Sequence, residues 1–194
     1  MHYNPDMIQP SKHPEQRVGV FVDVSNMYYS AKNLHHSKLD FSKVLHTATA
    51  SRRLVRAIAY VIRADIEQEQ EFFNALGKQG YEVHEKDLQI FYGGAKKGDW
   101  DVGISVDAIK LADKLDVVVL VTGDGDFVPL VEYLQHNKGC RVEVVAFNKT
   151  TSGKLIEAAD DFVDLDSDPQ TYLIPNRIRK IEKSTQDPEI SSVM

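Results

Sequence analysis

The sequence predicts an α/β fold in which a mostly parallel central sheet is covered by helices on both faces, as a three-layer sandwich. Short, almost continuously apolar segments alternate along the chain with segments of helical period, which is the pattern of parallel strands joined by crossover helices. The chain has 194 residues, 42% of them hydrophobic and 27% charged, a composition that is ordinary for a globular domain. We therefore expect one domain with a sizeable core.

The strands are recognised by apolar runs that end in polar or glycine-rich turns. They are predicted at residues 17–26, 54–62, 81–91, 116–127, 141–147 and 162–165, and the first and fourth ranges include the loop that follows the strand. The segment 54–62 is apolar almost throughout, as expected of a strand that is covered on both faces. The segment 81–91 has the weakest strand pattern.

The helices are recognised by apolar residues at helical spacing and by the signals at their ends. They are predicted at residues 40–51, 67–80, 100–115, 127–137 and 152–160. In the first of them, Phe41, Val44, Leu45 and Ala48 share one face. The second ends on a glycine, as many helices do. Pro129 lies in the first turn of the fourth helix, where proline is tolerated.

The two ends of the chain differ from the region between them. Residues 1–16 are polar and interrupted by proline, which predicts a flexible arm, whereas residues 17–166 carry the alternating pattern of the domain. In the tail, residues 167–194, the isoleucines Ile174, Ile178 and Ile181 follow at helical spacing. We interpret the tail as a short helix that packs on the domain or on a partner subunit, and a homodimer is one expectation.

Composition limits the setting and the partners of the protein. The apolar runs are too short to span a bilayer, the N-terminus has no apolar signal core, and the single cysteine suits a reducing compartment. We therefore expect a cytoplasmic protein without a membrane partner. The net charge of −6 argues against a general nucleic-acid coat protein, but it allows an enzyme that meets nucleic acid through a metal-filled acidic pocket and a local basic rim.

Carboxylates follow two of the predicted strands. Asp23 ends the first strand, and Asp124 and Asp126 follow the fourth. Loops after the carboxyl ends of parallel strands share one rim, where ligands bind if the strand order reverses, so these side chains are expected to converge. Crowded carboxylates stay ionised together only beside a cation. Mg²⁺ and Mn²⁺ prefer oxygen ligands and leave positions for phosphate oxygens, so the pattern suits phosphodiester hydrolysis.

The helix predicted at 100–115 adds two acids to this set. Asp101 and Asp107 are six positions apart, about 240° around an ideal helix, so they do not share a face. Asp101 reaches the pocket only if it precedes or caps the first turn, and a helix N-cap explains it nearly as well. Asp107 is therefore the preferred member of the site.

Four polar residues near these acids have both a structural and a functional interpretation. Asn26 either satisfies the backbone of a loop or positions a water or a phosphate. Ser25 and Ser152 are suited to capping helices. Lys97 lies in a glycine-flanked loop beside Trp100 and is either solvated or a flexible phosphate clamp. We take Asn26, Ser25, Lys97 and Ser152 as candidate substrate-binding residues.

Four segments of the chain carry, in order, the motifs of a known family. They read VFVDVSN, KKGDWDVGISVDAIKLA, LVTGDGDFVPLV and SGKLIEAADDFVDL. Over roughly Arg17 to Asp166 the sequence resembles an NYN domain, of the PIN-like nuclease group that includes bacterial LabA-like proteins. The resemblance implies a PIN-like, Rossmann-like sandwich, which agrees with the fold predicted from the alternation of strands and helices.

The resemblance also implies an activity. The acidic positions of the family fall on Asp23, Asp101, Asp107, Asp124 and Asp126, with Asn26 as the polar partner in the first motif. By resemblance, these acids are catalytic, and Asp23, Asp107, Asp124 and Asp126 hold Mg²⁺ or Mn²⁺ for the cleavage of single-stranded or structured RNA. An additional acid, Asp99, precedes Asp101, so the roles of these two are open. The main hypothesis is a metal-dependent ribonuclease.

Two other functions are weighed against this one. A regulatory RNA-binding or protein-interaction module could keep the acidic pocket without catalysis. A phosphatase of the haloacid dehalogenase type is suggested by the segment GDGD, but Ser25 stands where that group carries its second acid. Dinucleotide binding is weaker still, because no G-x-G-x-x-G follows the first strand.

Overall fold

The computed structural model describes residues 12–63, 67–90 and 96–174. In chain order its strands and helices are β1 (Arg17–Asp23), α1 (Val24–His35), β2 (Lys38–Leu39), α2 (Phe41–Thr49), β3 (Arg53–Arg63), α3 (Glu67–Lys78), β4 (Glu82–Asp87), β5 (Gln89–Ile90), β6 (Lys96–Lys97), α4 (Asp101–Ala112), β7 (Val117–Val121), α5 (Val128–Lys138), β8 (Arg141–Ala146), α6 (Gly153–Ala158), β9 (Asp161–Asp164), α7 (Pro169–Tyr172) and β10 (Leu173–Ile174). Short 3₁₀ turns lie at Gly125–Phe127 and Asn148–Thr150.

The central sheet contains six parallel strands in the order β4-β3-β1-β7-β8-β9. The chain runs outward from β1 through β3 to β4, returns across the sheet to β7, and then runs outward through β8 to β9. The strand order therefore reverses between β1 and β7. In open parallel sheets, such a reversal opens a crevice at the carboxyl ends of the two strands. The predicted parallel α/β sheet is confirmed.

Helices cover both faces of the sheet. Gly19 in β1 faces Leu115, which follows α4. On the opposite face, Glu143 in β8 binds Arg52, which follows α2. Right-handed crossovers place α1, α2 and α3 together on the face of Arg52, and α5 contacts both α4 and α6 on the other face. These three layers are the predicted sandwich.

Central strands of the sheet are apolar because both of their faces are covered. All five residues of β7 are buried, and so are five of the seven residues of β1. A strand in this position has no solvent-facing side, so its sequence is continuously hydrophobic rather than alternating. This burial gives a rigid base to the first turn of α1, which directly follows β1, and to the loop that follows β7.

The first helix is the main difference between the sequence prediction and the structure. Residues 17–26 were predicted as a strand that ends in a polar loop, whereas β1 ends at Asp23 and α1 begins directly at Val24. The Asp23 side chain accepts a hydrogen bond from the Asn26 backbone N–H at 3.0 Å, so Asp23 is the N-cap. Ser25 lies within the first turn and is not the cap that the sequence suggested.

The described parts of the two chain ends are attached to the domain. Near the N-terminus, the backbone oxygen of Pro14 accepts a hydrogen bond from Arg53. After the last sheet strand, β10 pairs antiparallel with β2. Ile174 therefore lies in a strand, whereas the rest of the predicted tail helix, with Ile178 and Ile181, falls outside the described residues. No helix in the described ranges is long and apolar enough to cross a membrane.

A buried ion pair ties the sheet to the helices on one face. The two terminal nitrogens of Arg52 each donate to an oxygen of Glu143 at 2.8 Å, and one of them also donates to the Ala48 backbone oxygen at 2.9 Å. Both residues are buried. Burial by itself raises the pKa of Glu143, but the hydrogen bonds and charge of Arg52 outweigh it, so the pKa is lowered.

We predict that Glu143→Ala lowers the free energy of unfolding by about 3–5 kcal/mol, because it leaves the buried guanidinium of Arg52 without its counter-charge. Glu82→Ala is the control, since it breaks an exposed pair with Arg56 and is expected to lower the same quantity by less than about 1 kcal/mol. Urea unfolding measures both. Equal losses in the two variants would contradict a special role for the buried pair.

Candidate functional site

Three carboxylates meet on the rim of the sheet beside the reversal of strand order. Asp101, Asp124 and Asp126 each place one carboxylate oxygen within 4.8 Å of the oxygens of the other two. Asp101 is the first residue of α4, and the two others belong to the loop after β7. Asp101 and Asp124 are half-buried, and Asp126 is exposed. We call these residues the three-carboxylate group.

The loop after β7 is built so that its two aspartates point to the same place. Asp124 caps the 3₁₀ turn by accepting from the Asp126 backbone N–H at 3.0 Å, and its own N–H donates to the Thr122 hydroxyl at 3.2 Å. Gly125 packs directly against Ser152, whose hydroxyl would lie 2.6 Å from an added methyl carbon. The glycine is therefore required by this close approach.

Asn26 joins the first turn of α1 to the loop after β7. Its side-chain oxygen accepts a hydrogen bond from the Gly123 backbone N–H at 3.0 Å, while its own backbone N–H donates to Asp23. The end of β1 and the exit of β7 are thus linked by two consecutive hydrogen bonds. The Asn26 side chain therefore satisfies a backbone N–H of the loop after β7, which is one of the two roles that the sequence suggested for it.

Asp23 lies close enough to the three-carboxylate group for the charges of Asp101 and Asp124 to raise its pKa. The pKa of Asp23 is raised to about 6, mainly by burial; the backbone N–H of Asn26 opposes this rise, and the charges of Asp101 and Asp124 add to it. The pKa of Asp101 is also raised, first by burial and then by Asp124, Asp99 and Asp126. Negative charge on this rim is therefore incompletely balanced by the protein.

Asp107 takes part in a different set of contacts. Its carboxylate accepts a hydrogen bond from the Tyr60 hydroxyl at 3.1 Å and lies 3.4 Å from His84 Nδ1. The structure thus brings Asp101 into the three-carboxylate group and leaves Asp107 outside it, contrary to the preference drawn from helix geometry. Asp101 opens the helix, and side chains lean toward the helix N-terminus, so its carboxylate reaches the rim.

The remaining sequence candidates lie around this centre. Ser25 lies in the first turn of α1, and its backbone N–H is among the groups that lower the pKa of Asp23. Ser152 immediately precedes α6 but makes no side-chain capping bond, and its N–H donates to the Gly123 oxygen at 2.9 Å. Lys97 lies in β6, where the described structure covers its backbone but not its side chain.

A row of aromatic rings beside the carboxylates was missed by the sequence analysis. Asp23, Tyr60 and His84 occupy matched positions on β1, β3 and β4. The Trp100 ring lies 5.2 Å from the ring of Tyr60 and 6.4 Å from that of His84, and its Nε1 donates to the Val61 oxygen at 2.9 Å. Strand register places these rings together, and register cannot be read from one strand alone.

The donor atoms of the three-carboxylate group suit a hard divalent cation. All of them are carboxylate oxygens, which Mg²⁺ and Mn²⁺ prefer to nitrogen or sulfur. Within the described parts of the chain, no basic side chain forms an ion pair with Asp23 or with the three-carboxylate group. A divalent cation would supply the missing positive charge, so the residues present fit such an ion.

We predict that Asp23→Asn stabilises the protein in EDTA at neutral pH, because the amide keeps the helix cap but removes an unfavourable charge. The folded-state pKa of about 6 lies above the ordinary 3.8, a difference that corresponds to about 3 kcal/mol. Partial exposure reduces the expected gain to about 1–3 kcal/mol.

The direction in which the stability gain of Asp23→Asn changes with pH follows from proton linkage. Protonated Asp23 contributes stability that is fully present below pH 3.8 and lost as the pH rises through about 6, so the gain from Asp23→Asn should vanish near pH 3.8. Urea unfolding across this range checks it. Asp40→Asn is the matched control, since Asp40 caps α2. A loss of stability in Asp23→Asn would instead indicate a structural carboxylate.

Comparison with known proteins identifies the family. A sequence model of the NYN domain matches residues 17–166. The Low amplitude and bright protein LabA of Synechococcus elongatus is 29% identical over 182 residues, which cover 89% of this chain and 91% of that protein. A crystal structure of a protein of unknown function from Vibrio parahaemolyticus matches with a TM-score of 0.77 and 36% identity, over 84% of this chain and 99% of that chain. With its parallel sheet and acidic rim, the chain belongs to the NYN domain family.

Proposed function

We propose that the protein is a Mg²⁺- or Mn²⁺-dependent ribonuclease that hydrolyses RNA phosphodiester bonds at the three-carboxylate group. The observation that carries the proposal is the convergence of Asp101, Asp124 and Asp126 at the reversal of strand order, with the electrostatically coupled Asp23 beside them. Membership of the NYN family, within the PIN-like nucleases, supports a hydrolase of this class. RNA is the partner that the function implies.

The carboxylates have separate tasks in this proposal. Asp101, Asp124 and Asp126 would hold the ion, and Asp23 would add a fourth carboxylate beside them. When bound, the ion would polarise the scissile phosphate and lower the pKa of an attacking water. Asp107 is not included among the ligands, because its carboxylate is occupied by Tyr60 and lies near His84.

Polar groups of the chain would position the substrate. The side-chain oxygen of Asn26 is fixed by Gly123. This leaves its NH₂ group, which makes no hydrogen bond within the described ranges, to donate to a phosphate oxygen or to a water. Ser152 lies against the loop that carries Asp124 and would line the same pocket. Substrate contacts by Ser25 and Lys97, a cytoplasmic location and a homodimer stay predictions from the sequence.

The non-catalytic alternative shares the fold and the acidic pocket. A regulatory module of this family would bind RNA or protein without cleaving RNA, and its carboxylates would be retained without a chemical role. The two functions differ in whether cleavage needs both the metal and the carboxylates. They are therefore distinguished by experiment rather than by geometry.

We predict that purified wild-type protein cleaves a labelled single-stranded RNA with Mn²⁺ or Mg²⁺ and not with EDTA. Asp124→Asn should lower cleavage on the order of 100-fold or more, because it removes a ligand of an ion that supplies several kcal/mol of transition-state stabilisation. Asp113→Asn is the control: it makes the same charge change at an exposed residue after α4 and should leave cleavage unchanged.

The other outcomes have definite meanings. Cleavage that survives Asp124→Asn would indicate a contaminating nuclease. The absence of cleavage by the wild type over a broad set of RNAs would refute the ribonuclease proposal and favour the regulatory module.

Metal binding is tested separately from cleavage. We predict that Mn²⁺ raises the thermal unfolding temperature of the wild type, because an ion that binds only the folded state stabilises it by about 2.7 kcal/mol at a hundredfold excess over its Kd. The shift should be smaller in Asp124→Asn and unchanged in Asp113→Asn. Differential scanning fluorimetry over a Mn²⁺ titration measures it, and identical shifts in all three proteins would place the ion elsewhere.

A further inference from the structure

One lysine on the same rim carries a charge that no described carboxylate neutralises. Lys86 lies near the carboxyl end of β4 and is exposed. Its Nζ donates to the Asp99 backbone oxygen at 3.0 Å and lies 5.6 Å from the centre of the Trp100 ring. Among the described residues it forms no ion pair. The side chain is thus held in place by a carbonyl and an indole while its positive charge stays available.

The two neighbouring arginines form ion pairs with carboxylates. Arg56 is paired with Glu82, and Arg63 donates to Asp87 at 2.8 Å. Both arginines lie on β3, and their partners lie on β4. Lys86 stands between these pairs without a partner of opposite charge in the described structure, which distinguishes it from the other cations of this edge.

The register of the sheet sets the distance from Lys86 to the acidic site. Asp23, Tyr60 and His84 lie in one row across three strands. Neighbouring strands are about 4.8 Å apart, so the Cα atoms of His84 and Asp23 are roughly 10 Å apart. Lys86 is two positions beyond His84 and therefore projects from the same face. Trp100, whose ring lies beside Lys86, directly precedes Asp101 in the sequence.

We propose that Lys86 binds the phosphate of a nucleotide that adjoins the cleaved bond, and that Trp100 is a positioning residue that holds the lysine. This inference rests on the proposed RNA cleavage. An ammonium group is a point charge that binds phosphate without reading the base. A chain with a net charge of −6 needs local cations of this kind to approach a polyanion.

Gly103 allows the indole of Trp100 to pack closely on α4. A methyl group added at Gly103 would overlap the ring of Trp100, so the ring lies directly on the first turn of α4. The same turn carries Asp101. The ring that seats Lys86 is therefore part of the structure that fixes a carboxylate of the acidic site.

The competing explanation for Lys86 is purely structural. By donating to the Asp99 oxygen, the lysine could serve only to order the segment before α4. A structural role would change stability but would not change how RNA binding depends on salt. The salt dependence is therefore the decisive measurement.

The experiment uses a short fluorescein-labelled oligouridine and the full chain carrying Asp124→Asn, so that the RNA stays intact. Fluorescence anisotropy gives the association constant over a series of salt concentrations. In this background, Lys86→Gln should weaken binding and make the slope of log K against log salt shallower by about 0.7, the value for one phosphate contact on a single strand. Lys86→Arg should keep the slope, because it keeps the charge.

Two controls accompany the binding measurement. Lys114→Gln makes the same charge change at an exposed lysine before β7, at the opposite end of the sheet, and should leave the slope unchanged. An unaltered far-UV circular dichroism spectrum in Lys86→Gln shows that the domain is still folded.

The outcomes separate this inference from the proposed function. If the wild type cleaves RNA with metal but Lys86→Gln and Lys114→Gln have equal slopes, Lys86 does not bind phosphate and only this inference fails. If the wild type neither cleaves nor binds RNA, both proposals fail. A shallower slope in Lys86→Gln alone supports the phosphate contact.

Discussion

The parallel pairing of β1 with β7 is the constraint on which the candidate site depends. It brings Asp23 and the loop of Asp124 to one rim although they are far apart in sequence. Both strands are buried on both faces, so this register is held by close packing, such as that of Gly19 against Leu115. The hydrogen bond from Gly123 to Asn26 then ties the loop after β7 to the first turn of α1. The acidic rim is thus a consequence of core packing.

Burial of the rim carboxylates, together with the repulsion between them, opposes the stability that the core provides. The raised pKa values of Asp23 and Asp101 show that the folded state holds these charges less favourably than water would. Backbone N–H groups offset part of the repulsion at Asp23 and Asp124. A cation would offset the rest, so under the proposed function the binding of metal and the stability of the loops are linked.

The sequence allowed the fold and part of the site to be predicted for physical reasons that differ between residues. Asp23, Asp124 and Asp126 directly follow apolar strands, so their meeting at one rim follows from parallel topology alone. The choice between Asp101 and Asp107 depended on where α4 begins, and helix boundaries are poorly determined by periodicity. The aromatic row of Tyr60 and His84 required the register of two strand pairs, which a single sequence does not reveal.

In the proposed RNA site, the negative charge of the three-carboxylate group and the positive charge of Lys86 lie at different places on the rim, so they would play different parts in RNA binding. Under these proposals, phosphate would approach the three-carboxylate group only when a cation offsets the negative charge there, whereas it would reach Lys86 without metal. Initial binding and close approach to the carboxylates then depend on different groups. Salt would weaken contact at Lys86, which is exposed, because small ions screen exposed charges. Metal would govern entry of the scissile phosphate, so an acidic chain can use RNA as a substrate without holding it tightly in the absence of the ion.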